Sequence, residues 1–152
     1  MPRWDAIGFF CEDIRHELNG IETIIGVMPD NVAVEGGSGF MPKVGMYVRI
    51  HVTPDIDVES ISVSVDFFDG EHRQLIGSFS RDQIEKEKEG ARNSGSSLIG
   101  FIFRGVMSPF PVPHLGPVRL KAKVGEEEII CGGIKIISAA FTASSSVSQP
   151  PS

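Results

Sequence analysis

Val58-Glu59-Ser60-Ile61-Ser62-Val63-Ser64-Val65-Asp66-Phe67-Phe68 sets apolar Ile61, Val63, Val65 and Phe67 against polar Ser60, Ser62, Ser64 and Asp66. A period of two sends successive side chains to opposite faces of an extended chain, so the stretch predicts a strand with one buried and one wet face. Asp69-Gly70 follows, and the apolar pattern resumes over Glu71 to Phe79. A pair able to take positive φ places a hairpin tip there. Upstream, Val44, Met46, Val48, Ile50 and Val52 alternate with Gly45, Tyr47, Arg49 and His51 in the same way. Downstream, Val118, Leu120, Ala122 and Val124 alternate with Arg119, Lys121 and Lys123, a pattern that reads as the solvated face of another strand rather than a basic site.

Further strands are expected at 5–11, 21–28, 31–35, 97–107, 116–124 and 127–137, about nine in all, with turns at Asn19-Gly20 and Gly125-Glu126. Gly132-Gly133 inside the last of them predicts a bulge or a close backbone contact, because glycine removes the packing side chain. Residues 81–92 carry good helix formers but no wide apolar stripe, which predicts a short surface helix or a loop. Pro109-Phe110-Pro111-Val112-Pro113 cannot be a central strand, since proline donates no ladder hydrogen bond; it is expected to link strands in different sheets. Many strands without βαβ alternation predict an all-β fold, an antiparallel two-layer β-sandwich of immunoglobulin-like or similar Greek-key type, with a small barrel as the alternative. The domain is expected to span 1–137, and the uncharged, Ser-rich and Pro-rich tail 138–152 to be disordered.

The 152 residues, 41% hydrophobic, suffice for one core without disulfides or a structural metal. A net charge of −6 repels polyanions, so nucleic acid is not expected as a partner. The N-terminus lacks an apolar h-region and no run approaches a membrane span, so no membrane association is expected and a cytoplasmic location follows by default. Cys11 and Cys131 lie far apart without CxxC spacing or a neighbouring His pair, so they read as small buried hydrophobes and no cofactor is expected. Gly36-Gly37-Ser38-Gly39 lacks the Lys-Ser/Thr ending of a phosphate loop and reads as a flexible turn; His16-Glu17 lacks the second His of a zincin helix; no nucleophile elbow occurs. Asp55, Asp57 and Glu59 alternate as hard-cation ligands can, but without a glycine-turned loop, and no metal site is expected.

The densest cluster of chemically capable groups is Cys11-Glu12-Asp13-Ile14-Arg15-His16-Glu17, leading from the apolar strand into the Asn19-Gly20 turn. Asp13 and Arg15 in such a place can bond turn backbone or one another, with Cys11 facing the core and His16 and Glu17 in water. Alternatively, Glu12, Asp13, Arg15, His16 and Glu17 form an interaction surface, or Glu12, Asp13 and His16 a catalytic site assembled on folding.

Phe9-Phe10-Cys11-Glu12-Asp13-Ile14-Arg15, then Asn19-Gly20 and Ile24-Ile25-Gly26-Val27, resembles the opening of a bacterial and phage family of single-domain β-sandwich proteins, a domain of unknown function. The resemblance implies a microbial or prophage origin and a role for Glu12, Asp13 and Arg15, and it brings no reaction or ligand. With the fold signalled and catalytic motifs missing, the expected function is a non-catalytic module that binds a protein partner or itself. The alternatives are a structural or accessory part of a phage-type assembly, joined through edge strands, and the enzyme assembled on folding.

Overall fold

Period-two patterning becomes strand along most of the chain. The computed structural model describes residues 3–35 and 39–139. Its elements are β1 (Trp4–His16), β2 (Glu22–Val27), β3 (Asn31–Val34), β4 (Gly39–Met41), β5 (Val44–Val52), β6 (Ser60–Phe67), β7 (His72–Ser80), α1 (Arg81–Ser94), β8 (Ile99–Met107), β9 (Phe110–Val112), β10 (Gly116–Val124) and β11 (Glu127–Ser138). The fold is all-β, with eleven strands where about nine are expected. The order β2-β1-β5-β8 makes a four-stranded sheet, β3-β11-β10-β6-β7 a five-stranded one, and β4-β9 a two-stranded ribbon. All pairs are antiparallel except β3 with β11, which is parallel.

The alternating residues go where their chemistry sends them. Ile61, Val63, Val65 and Phe67 of β6 and Val118, Leu120, Ala122 and Val124 of β10 join Val44, Met46, Val48, Ile50 and Val52 of β5 in one apolar core shared by both large sheets. Arg119 and Lys121 lie on the other face, against Asp69 and Asp66. Asp66 is itself buried, and Lys121 Nζ at 3.2 Å supplies the partner that its shielded carboxylate requires.

Turns follow the glycines. Gly125 takes φ 62° between the paired residues Val124 and Glu127. Asn19 and Gly20 take φ 67° and 74° between β1 and β2. At the β6–β7 tip positive φ begins one residue before the expected Asp-Gly pair: Phe68 at 53°, Asp69 at 56° and Gly70 at 91°. The Phe68 ring is buried, which offsets the cost of a left-handed backbone at a bulky residue. In β11 the register shifts so that Leu120 faces Gly132 and Lys121 faces Ile130, leaving Cys131 as the extra residue of a bulge. The expected irregularity at Gly132-Gly133 is therefore present.

The segment at 81–92 is a helix rather than a loop. Ser80 and Gln83 form a reciprocal capping box, and Gly95 at φ 72° ends α1 by donating to the carbonyls of the last turn. Its buried stripe is narrow, Ile84, Lys88 and Ala91. Lys88 is tolerated there because Nζ donates to the Ile56 carbonyl at 2.6 Å. The Pro-rich crossing carries a short strand of its own, β9. Pro111 pairs with Phe40 in the two-stranded ribbon, an edge position that spares proline a ladder donor, and the segment links β8 of one sheet to β10 of the other, as expected. Residues 36–38 of the expected glycine turn and 140–152 of the expected tail lie outside the described residues, while Ser138 belongs to β11.

Candidate functional site

The polar cluster does not sit in a turn. β1 continues through His16, pairing Asp13 with Ile25, Arg15 with Thr23 and His16 with Glu22. What carries the strand past its apolar half is Ile14, buried against Gly45, where an added Cβ would stand 3.3 Å from Ile14 Cγ1 and 2.7 Å from Cys11 Sγ. Cys11 is buried, and burial raises its thiol pKa. Cys131 is half-buried, its thiol pushed up to about 11 by desolvation, so neither sulfur is an activated nucleophile at neutral pH.

A strand sends neighbours to opposite faces, and the five candidate residues part accordingly. Asp13 accepts from Lys43 Nζ at 2.9 Å and from the Ile14 N–H at 2.9 Å, and the Lys43 contact above all holds its carboxyl below the usual aspartate range. Arg15 lies 3.7 Å from Glu17, which also accepts from the Thr23 hydroxyl at 3.0 Å. His16 Nδ1 lies 3.5 Å from Glu22, whose carboxylate is also 3.1 Å from Arg104 Nε. Asp13, Arg15, His16 and Glu17 are thus engaged within the chain, and Asp13 fastens to Lys43 rather than to Arg15 or the turn. Asp57 and Glu59 both reach Arg81 at 2.6 Å, and Asp55 pairs with Arg3. Among the described residues no group of three or more His, Cys, Asp or Glu is placed to hold a metal ion.

Glu12 differs from its neighbours. Its side chain lies over Gly26, where a Cβ would meet Glu12 Cδ at 2.7 Å, and it lines a cleft of about 570 Å³. The rest of that cleft is mainly apolar, with Val27, Met28, Val32, Ala33 and Met41, and Lys43 also lines it. The outer edges of β2 and β3, which no other described strand pairs, border it, and Ile21, Ile25 and Val27 of the β2 segment are exposed at 62%, 36% and 60%. Glu12 was visible in the sequence as part of a polar run, but the cleft it lines was not, because three separate segments build it.

A second cleft of about 520 Å³ lies between β4, β9 and the β6–β7 tip, walled by Phe40, Phe68, Pro111 and Pro113. Beside it, His114 Nδ1 is 2.8 Å from the Leu115 carbonyl oxygen and Nε2 is 2.6 Å from Glu71, with the ring 4.2 Å from that of Phe68. Two acceptors on two ring nitrogens favour the doubly protonated imidazolium. The Leu115 carbonyl first, then Glu71, raises the pKa above its ordinary 6.5. A raised folded-state pKa contributes stability that is complete below the unfolded value and is lost as pH rises through the folded one. In an NMR titration His114 is expected to have its midpoint above pH 6.5, and to fall towards that value in Glu71→Gln. A parent midpoint at or below 6.5 would remove the pair.

No protein-family model matches the chain, and no curated protein matches it. No helix among the described residues is long and apolar enough to cross a membrane.

Proposed function

We propose that the chain is a non-catalytic interaction module that binds a protein partner at the side of the fold formed by Glu12, β2 and β3. The observation that carries this reading is the apolar cleft of about 570 Å³ flanked by two strand edges that no other described strand pairs, beside polar groups already engaged within the chain. An open strand edge offers unpaired main-chain donors and acceptors, and an apolar cleft beside it gives alternate side chains a place to go. Asp13 and His16, engaged with Lys43 and Glu22, are poorly placed to act together with Glu12 as acid and base.

The finer architecture belongs to the same proposal: a two-layer β-sandwich of immunoglobulin-like or similar Greek-key type, supported by the single core that both large sheets share. A bacterial or phage setting rests on the likeness of the Phe9–Arg15 opening. A cytoplasmic location is supported by Cys11 and Cys131, both free thiols.

Val27 and Leu75 are exposed to the same degree, 60% and 61%, but Leu75 lies on the five-stranded sheet, away from the cleft. A photo-crosslinking residue at Val27 is expected to yield a discrete protein adduct in cells, and the same residue at Leu75 none. Equal adducts at both positions, or none at Val27, would refute the assignment of this side of the fold.

A further inference from the structure

We propose that the Glu12 cleft receives an extended segment of a partner, apolar on one face and basic on the other, as a strand added to the open edge of β3. This rests on the interaction-module reading and names the chemistry of the partner. The ladder decides which groups of β3 are on offer. Lys135 of β11 stands opposite Asn31, and its N–H donates to the Asp30 carbonyl at 2.7 Å. In a parallel pair, main-chain groups alternate between the two sides of a strand. Val32 therefore turns its N–H and C=O towards β11, while Asn31 and Ala33 turn theirs to the open side. No described strand pairs with them there. Asn31 and Ala33 also line the cleft, so the free main-chain groups and the apolar floor lie together.

Charge selects among extended segments. Glu12 lies in the cleft, and Asp30 and Glu35 stand at the two ends of β3; none of the three has an ion-pair partner among the described residues. Lys43, the cation of the cleft, is held by Asp13. Lys135, opposite Asn31 in the ladder, is the one cation beside β3 with no ion-pair partner among the described residues, and it borders a neighbouring depression with Asn31, Leu115 and Gly116. Glu12 in the cleft and the acids that flank β3 in the chain, Asp30 and Glu35, outnumber the single unpaired cation Lys135, and on a chain of net charge −6 that balance attracts a cationic segment and opposes an acidic one. The apolar floor includes Met28 and Met41, whose flexible thioethers adapt to apolar side chains of different shapes.

The test is an NMR titration of the full chain with end-blocked heptapeptides that alternate Val with Lys, or Val with Glu. The Val/Lys peptide is expected to bind, to shift the amides of Asn31 and Ala33 and to slow their hydrogen exchange; the Val/Glu peptide is not. Glu12→Gln should weaken binding by about two- to fivefold, the scale of one exposed charge pair. Ala33→Pro removes an N–H that the β11 ladder does not use, so the fold should persist while peptide binding is lost. Should Ala33→Pro fail to fold, exchange protection of Asn31 and Ala33 in the parent decides the matter. Equal binding of the Val/Glu peptide, binding that leaves those two amides unprotected, or binding retained in a folded Ala33→Pro each overturns the proposal. Concentration-dependent protection without peptide also overturns it, and makes a second copy of the chain the occupant. A Val27 adduct obtained alongside any of these failures keeps the interaction module and discards only this partner chemistry.

Discussion

Gly132→Ala is expected to cost about 3 kcal/mol or more, at or beyond the upper end of ordinary small-to-large core substitutions. A Cβ on Gly132 would stand 2.2 Å from the Gly8 carbonyl oxygen and 2.7 Å from its carbon. Both obstacles are backbone, so no side chain can swing aside, and β1 or β11 must move bodily. Gly132 is not among the glycines with positive φ, so the cost is one of space and not of backbone conformation. Two neighbours serve as controls. A Cβ on Gly8 would meet Val48 Cγ2 at 2.9 Å and Leu120 Cδ1 at 3.1 Å, side-chain ends that can shift, and one on Gly133 would meet the Val118 oxygen at 3.1 Å. Urea denaturation should therefore rank Gly132→Ala below both Gly8→Ala and Gly133→Ala. A Gly132→Ala protein as stable as the parent would mean that β1 and β11 do not meet there.

That contact also marks how far the sequence is legible. Gly132-Gly133 announces an irregular strand, because two adjacent glycines in an apolar run have no packing role of their own; that Gly8 is what they make room for is a tertiary fact. β5, β6 and β10 are legible for the same reason that they are stable: each has one wet face, so alternation is written into it. β4 and β9, three residues each, are too short to show a period, and they exist because the fold brings Met41 and Phe110 together. The parallel pairing of β3 with β11 joins remote segments and leaves no local mark.

The candidate site divides along the same line. Polar density picks out Glu12, Asp13, Arg15, His16 and Glu17, but it cannot separate an engaged acid from a free one. The strand does so, sending Asp13 to Lys43 and leaving Glu12 over Gly26. Ile14, the apolar residue of that run, could have signalled the longer strand, but its seat on Gly45 depends on the pairing of β1 with β5. The cleft beside Glu12 is invisible for a related reason, since Glu12, the stretch that holds Met28 and Val32, and Met41 come from three separate segments.

Phe110→Ala is expected to cost about 3–5 kcal/mol, the range for truncating a fully buried phenylalanine. The residue sits between two prolines in the crossing from one large sheet to the other, with no exposed surface. Its ring lies 6.5 Å from Phe10 of β1, edge-on, and 5.6 Å from Phe67 of β6, so it touches a strand of each sheet. A three-residue strand has too few ladder bonds to hold itself in place, and the buried ring anchors the ribbon. Removing it leaves a cavity between the sheets and frees Pro111 and Val112, which wall the aromatic cleft. Phe40, from the partner strand of the same ribbon, is 72% exposed, and Phe40→Ala should stay within about 0.5 kcal/mol of the parent, as surface changes do. Denaturant midpoints at a common slope make the comparison. If Phe40→Ala and Phe110→Ala lose equal stability, the ribbon is held by its strand pairing rather than by its buried ring, and the connection between the sheets owes nothing to Phe110.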